Sequence, residues 1–201
     1  MTDRETLWLG AGVLFLLWLE SRKKPGGESY TVPMPDPTRP EFAPHEIEIT
    51  EPRKTPATFD EMASAFMQGY RDVTGEPPTT RVLAMFLAIS AQETREWDAM
   101  WEWNPVNLTT VSKRGFFHIP GDPDGLKYAP YGNARQGAAA TVKRFAEKFP
   151  KSFGLMLANS PEDVARMMRQ EGFYTGPADA YARRVRAFFD KFAAGLPGPV
   201  T

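Results

Sequence analysis

The chain has 201 residues, a formal net charge of −1 at neutral pH and no cysteine. That length holds one sizeable domain with appendages, and the missing cysteine excludes a disulfide framework, a zinc–thiolate site and a thiol nucleophile. No segment is strongly basic, which argues against nucleic acid as a partner, and His45 and His118 are too far apart in sequence to point to a metal centre.

Leu7 to Leu19 is an uninterrupted apolar run with Trp8 and Trp18 near its ends, closed by Glu20 and then Arg22, Lys23 and Lys24. It is short for a spanning helix and lacks the features of a cleaved signal peptide. Its terminal tryptophans and basic stop predict a membrane anchor or interfacial helix within residues 1–24. A helix buried in a protein assembly is the competing reading. Arg4 before the run and three basic residues after it leave the topology open. Residues 25–57 read as a proline-rich linker, with prolines at 25, 33, 35, 37, 40, 44, 52 and 56. Such a segment favours an extended, semi-rigid spacer, and residues 25–56 are a candidate contact for partner proteins. The alternation from His45 to Thr50 reads as solvated linker, with a short strand on a partner as the alternative.

Residues 58–201 read as a mainly α domain. Thr58-x-x-Glu61 is a capping box, followed by an apolar face of Phe59, Met62, Ala63, Phe66 and Tyr70 that ends at Gly75. Thr79 or Thr80 caps the next helix, whose Val82–Ile89 stretch is apolar nearly all round, as in a central buried helix. Asn104 to Tyr131 has no helical period and predicts loops with a small hairpin around Gly115–Ile119. Helix returns from Ala134 to Phe149, starts again at Ser160-Pro161 and runs to Gly172. A last helix opens at Pro177 and continues to Phe192, with Tyr181, Val185, Phe188 and Phe189 inward.

The stretch from Ala91 to Thr110 carries the chemistry. Glu93 follows the apolar helix, and Trp97, Trp101, Trp103, Asn104 and Asn107 follow it closely. Tryptophan faces stack on the C–H faces of sugar rings, and amides hydrogen-bond acetamido groups. A carboxyl among such rings at a helix C-terminus has its charged form disfavoured and suits a general acid. An exposed glutamate pairing with Arg95 is the plainer alternative.

Ala88-Ile89-Ser90-Ala91-Gln92-Glu93-Thr94 followed by Met100–Thr110 resembles the catalytic segment of glucosaminidase-type muralytic domains, in or near glycoside hydrolase family 73 of the lysozyme-like superfamily, many of them phage-encoded. Tyr131–Gly137, Gly172–Pro177 and Tyr181-Ala182 are similar to its later elements, so the resemblance covers Phe59 to Phe192. Val106 stands where the family tends to carry glycine. The resemblance implies a lysozyme-like helical domain with a small irregular lobe and a peptidoglycan glycosidase using no cofactor or metal. Glu93 is then the acid, and Tyr174 lies at the cleft floor, near it, or is a core tyrosine. Asp122 and Asp124 are candidates for the second carboxylate or plain turn formers, with Asp98 and Glu102 as further options. Trp97, Trp101, Trp103, Tyr128 and Tyr131 are candidate stacking platforms, and Asn104 and Asn107 candidate acetamido donors or turn residues. The expected protein is a membrane- or virion-tethered wall hydrolase, in a phage particle or the bacterial envelope. Its alternatives are a lytic transglycosylase and a non-catalytic glycan-binding or structural protein of the same fold.

Overall fold

The computed structural model describes residues 48–110 and 115–197. The expected anchor at 7–19 and the linker as far as 47 lie outside the described residues. Among the described residues no helix is long and apolar enough to cross a membrane.

The first element is a surprise. Residues 48–55, expected to be linker, are woven into the domain. Strand β1 (Glu48–Ile49) pairs in parallel with β2 (Phe116–Phe117), so Glu48 faces Phe116 and Ile49 faces Phe117. The chain then runs as a strap along residues 100–103. Thr55 N–H donates to the Met100 carbonyl at 3.0 Å, and Glu102 N–H to the Arg53 carbonyl at 3.0 Å. The Thr55 hydroxyl accepts from Trp103 N–H at 2.9 Å, and buried Glu102 accepts from Arg53 N–H at 2.6 Å. Pro52 and Pro56 flank these contacts without breaking them, because proline is tolerated where no ladder donor is needed. The hairpin expected around Gly115–Ile119 is replaced by this parallel pair and by isolated antiparallel bridges of Tyr128 with Phe117 and Thr109.

Helix α1 (Phe59–Thr74) starts with the anticipated capping box. The Thr58 hydroxyl accepts from Glu61 N–H at 3.3 Å, and the Glu61 carboxylate from Thr58 N–H at 2.8 Å. The helix stops at Gly75, whose φ of 89° is left-handed. Helix α2 (Thr80–Thr94) takes Thr79 as its cap, and every residue from Val82 to Ala91 is buried, as its apolar pattern requires. Phe86 meets Phe66 at 5.6 Å and Phe145 at 5.6 Å, which joins α2 to its neighbours in one aromatic core.

Helix α3 (Ala134–Lys148) packs on α1 and passes close to the chain after α2. A Cβ on Gly137 would lie 1.9 Å from the Trp103 carbonyl oxygen, so only glycine permits this approach. A kink at Phe149 separates α3 from a short helix, α4 (Pro150–Leu155), which the periodicity had merged into the loop beyond. The Glu171 carboxylate caps α4 by accepting from Ser152 N–H at 2.9 Å and Lys151 N–H at 3.1 Å. That contact also fixes the start of the Gly172–Pro177 loop. Helix α5 (Pro161–Gln170) begins at the Ser160 cap with Pro161 in its first turn. Helix α6 (Ala178–Gly195) buries Tyr181, Val185, Phe189 and Phe192 against α2 and α5. Mainly helical architecture with a small irregular lobe is the observed class.

Candidate active site

Glu93 sits in the last turn of α2, half-buried. Two hydrogen bonds hold it, and a third residue braces the turn beyond. The Tyr181 hydroxyl, from the first turns of α6, donates to Glu93 Oε1 at 2.7 Å. Asn107 Nδ2 donates to the Glu93 carbonyl at 3.0 Å. Ser90, one turn earlier on α2, donates its hydroxyl to the Pro105 carbonyl at 2.9 Å and accepts from the Trp97 indole at 2.8 Å. The residue before Glu93, Gln92, accepts from Arg184 Nε at 3.0 Å.

The chain leaves α2 through an unusual turn. Arg95, Glu96 and Trp97 are all left-handed, with φ of 51°, 56° and 71°, although none is glycine. For such residues this conformation costs about 1–2 kcal/mol each, offset here by specific contacts. Glu96 N–H donates to the Ala91 carbonyl at 2.7 Å and Ala99 N–H to the Thr94 carbonyl at 3.0 Å. The turn drives Trp97 into the core, where it stacks on Phe192 at 5.3 Å. Asn107 is also left-handed at φ 51°, a conformation that asparagine tolerates well. The left-handed residue is thus Asn107, while buried Val106 is not among the left-handed residues.

Glu93 opens into a cleft of about 540 Å³ bounded by α2, α3, α6, the irregular lobe and the Gly172–Pro177 loop. Among the described residues Glu93 is the one carboxylate lining it, beside Asn107, Tyr128, Arg144, Tyr174, Tyr181 and Arg184. Burial pushes the Glu93 carboxyl above its ordinary range, against the opposing Tyr181 hydrogen bond and Arg184 charge. Burial, then the nearby Glu93 charge, pushes the Tyr181 hydroxyl well up, so it stays a proton donor. No group of three His, Asp or Glu side chains among the described residues converges to hold a metal ion.

Several expected site residues lie elsewhere. Trp97 is 1% exposed and has no face open to a sugar. Trp101 is half-buried under the strap, with the Lys54 ammonium 5.5 Å from its ring. Trp103 lines a shallow groove with Asp60, Gln68 and Asn133 instead of the cleft. Asn104 is fully buried as a clasp: its Oδ1 accepts from Leu108 N–H at 2.7 Å, and its Nδ2 donates to the Leu108 and Ala129 carbonyls. Tyr131 is half-buried outside the cleft lining, its hydroxyl pushed up to about 12 by burial.

The second carboxylate is not where it was sought. Asp122 accepts from the Tyr128 hydroxyl at 2.8 Å and from Asp124 N–H at 3.1 Å, and neither aspartate lines the cleft. The Tyr128 hydrogen bond holds the Asp122 carboxyl low, so it is an ionised turn residue. Glu102 is occupied by Arg53, and Asp98 is exposed outside the cleft. Tyr174 does line the cleft, yet its hydroxyl donates to the Ala165 carbonyl at 3.0 Å. Its ring instead stacks under Tyr181 at 3.8 Å. The hydroxyl at Glu93 therefore belongs to Tyr181, read from periodicity as a plain core residue. Arg144 and Arg184 were also missed, for nothing in their helices marks the two cations as facing one cleft.

The fold and site define a mainly helical protein with an acid–tyrosine pair at the floor of an open cleft. Comparison with family models, curated proteins and solved structures returned no match.

Proposed function

We propose that the protein is a peptidoglycan hydrolase of lysozyme-like fold that cleaves β-1,4 glycosidic bonds, with Glu93 as its general acid. The observation that carries this reading is the Glu93–Tyr181 pair, a carboxyl raised by burial and opening into a cleft large enough for sugar units. Burial favours the protonated form of such an acid, which delivers its proton to the leaving glycosidic oxygen as the C–O bond breaks. The Tyr181 hydroxyl then stabilises the carboxylate left behind.

With Glu93 the one carboxylate among the described cleft residues, participation by the substrate's own acetamido group is favoured. Its oxygen attacks the anomeric carbon while Glu93 protonates the leaving oxygen, which gives a cyclic oxazolinium ion and ionised Glu93. Water then opens the ion and returns a proton to Glu93, completing hydrolysis. Attack by the sugar's own 6-hydroxyl at the same stage, its proton passing to ionised Glu93, gives the anhydro sugar of a lytic transglycosylase, the second reading that the same observation supports. Residues 7–19 would hold the enzyme at a membrane, and residues 25–47 would space the domain from it, within a phage virion or the bacterial envelope. Docking to virion proteins through residues 25–56 belongs to the same reading.

Mass spectrometry of fragments released from purified cell walls tests this directly. Reducing saccharides cut between amino sugars are the expected products of hydrolysis, and anhydro ends those of transglycosylation. Fragments cut only in the peptides, or none, would overturn the glycosidase reading.

A further inference from the structure

The cleft has a charge that the acid does not explain. Arg53 pairs with buried Glu102, and Arg135, Arg166 and Arg186 each have an exposed carboxylate partner. Arg144 on α3 and Arg184 on α6 line the cleft, and neither has an ion-pair partner among the described residues. Arg144 is half-buried, with its guanidinium 6.0 Å from the centre of the Phe149 ring, which also lines the cleft. That packing holds the cation in place and leaves its N–H donors without an acceptor from any described residue. Arg184 uses Nε on Gln92 and keeps its terminal nitrogens for another partner. The described cleft carries two cations against the single carboxyl group of Glu93, in a chain whose net charge is −1. A concave site of one sign attracts ligands of the other, and a guanidinium fork matches a carboxylate in a bidentate way.

We propose that Arg144 and Arg184 form an anion subsite beside Glu93 that takes a carboxylate carried by the wall glycan, so that the cleft selects acidic strands over neutral ones. This rests on the hydrolase reading of the same cleft. Two wall groups supply that chemistry: the lactyl carboxylate of a muramyl sugar whose stem peptide has been removed, and the carboxylates of an attached stem peptide.

The test uses the full-length chain in detergent carrying Glu93→Gln, so that ligands bind without turnover. Titration calorimetry compares a neutral N-acetylglucosamine hexamer, amidase-stripped glycan strands and strands with stem peptides. A carboxylate-bearing strand should bind about tenfold tighter than the neutral hexamer, as expected for one charge-assisted contact. Added salt should shrink that preference. Tighter binding of stripped strands assigns the lactyl carboxylate, and tighter binding of peptide-bearing strands alone assigns the stem peptide. Adding Arg144→Gln, and separately Arg184→Gln, should collapse the ratio of acidic to neutral affinity. Glycan binding with no acidic preference, or a preference that both substitutions leave intact, overturns the subsite and leaves the hydrolase reading standing. No binding of any of the three ligands overturns both.

Discussion

Replacing Tyr181 by phenylalanine removes a single oxygen from the acid's surroundings. The ring keeps its 3.8 Å stack on Tyr174 and its buried place on α6, so packing is preserved. What is lost is the 2.7 Å hydrogen bond to Glu93 Oε1. A hydrogen bond to a charged group is worth about 1.5–3 kcal/mol, and here it favours ionised Glu93 over its acid form. Two effects follow with opposite signs. As Glu93 gives up its proton in the transition state, its growing charge loses part of that stabilisation. Forfeiting half of it lowers kcat/KM on the pH-independent plateau by roughly four- to tenfold. Meanwhile Glu93 is active when protonated, and its activity falls as pH rises through its already raised pKa. Without the hydrogen bond that pKa rises further, so the alkaline limb of the profile moves to higher pH. The assay is kcat/KM on solubilised, dye-labelled cell wall, measured from about pH 4 to 9. An alkaline limb that stays in place, or moves to lower pH, would refute the assignment of Tyr181 as the partner of ionised Glu93.

Glu93→Gln should raise stability. The folded pKa of Glu93 lies above its unfolded value, so the stability linked to its protonation is complete at low pH and lost as pH rises through the folded pKa. The neutral glutamine removes that loss, so Tm should rise at neutral pH, and the increase should vanish below about pH 4. Asn107→Ala should destabilise the fold by about 1 kcal/mol in urea, because alanine tolerates the left-handed φ of 51° poorly. Asn107→Gly should restore the stability without restoring the bond to the Glu93 carbonyl, so activity stays low. Thr55→Ala should cost about 1–2 kcal/mol in the same assay, since it leaves Trp103 N–H without its acceptor. A change under about 0.5 kcal/mol, typical of a solvated linker, would contradict the strap.

The helices were legible because their ends carry chemistry that acts locally. The Thr58–Glu61 box, the Thr79 cap and Ser160-Pro161 each announce a helix within four residues, and the unbroken apolar run of α2 announces its burial. Glu93 was legible for the same reason, as a carboxyl ending that run. Its partner was not, since Tyr181 meets it across 88 residues of sequence and sits on an apolar face like any core aromatic. The three tryptophans misled because no glycine marks the left-handed turn at Arg95–Trp97. That turn, and not the spacing of the rings, decides that Trp97 enters the core while Trp101 and Trp103 face away from the cleft. The strap escaped notice because its prolines resemble those of the linker before it, whereas its contacts reach residues 100–103, about fifty positions away in sequence.

Clearing of purified, dye-labelled cell walls by the full chain and by Glu93→Gln, at equal concentration and neutral pH, tests the central claim most directly. The account predicts clearing by the wild-type chain and a loss of at least about a hundredfold in the variant, with its fold intact by circular dichroism. Equal clearing by both proteins, or none by the wild type, would contradict it.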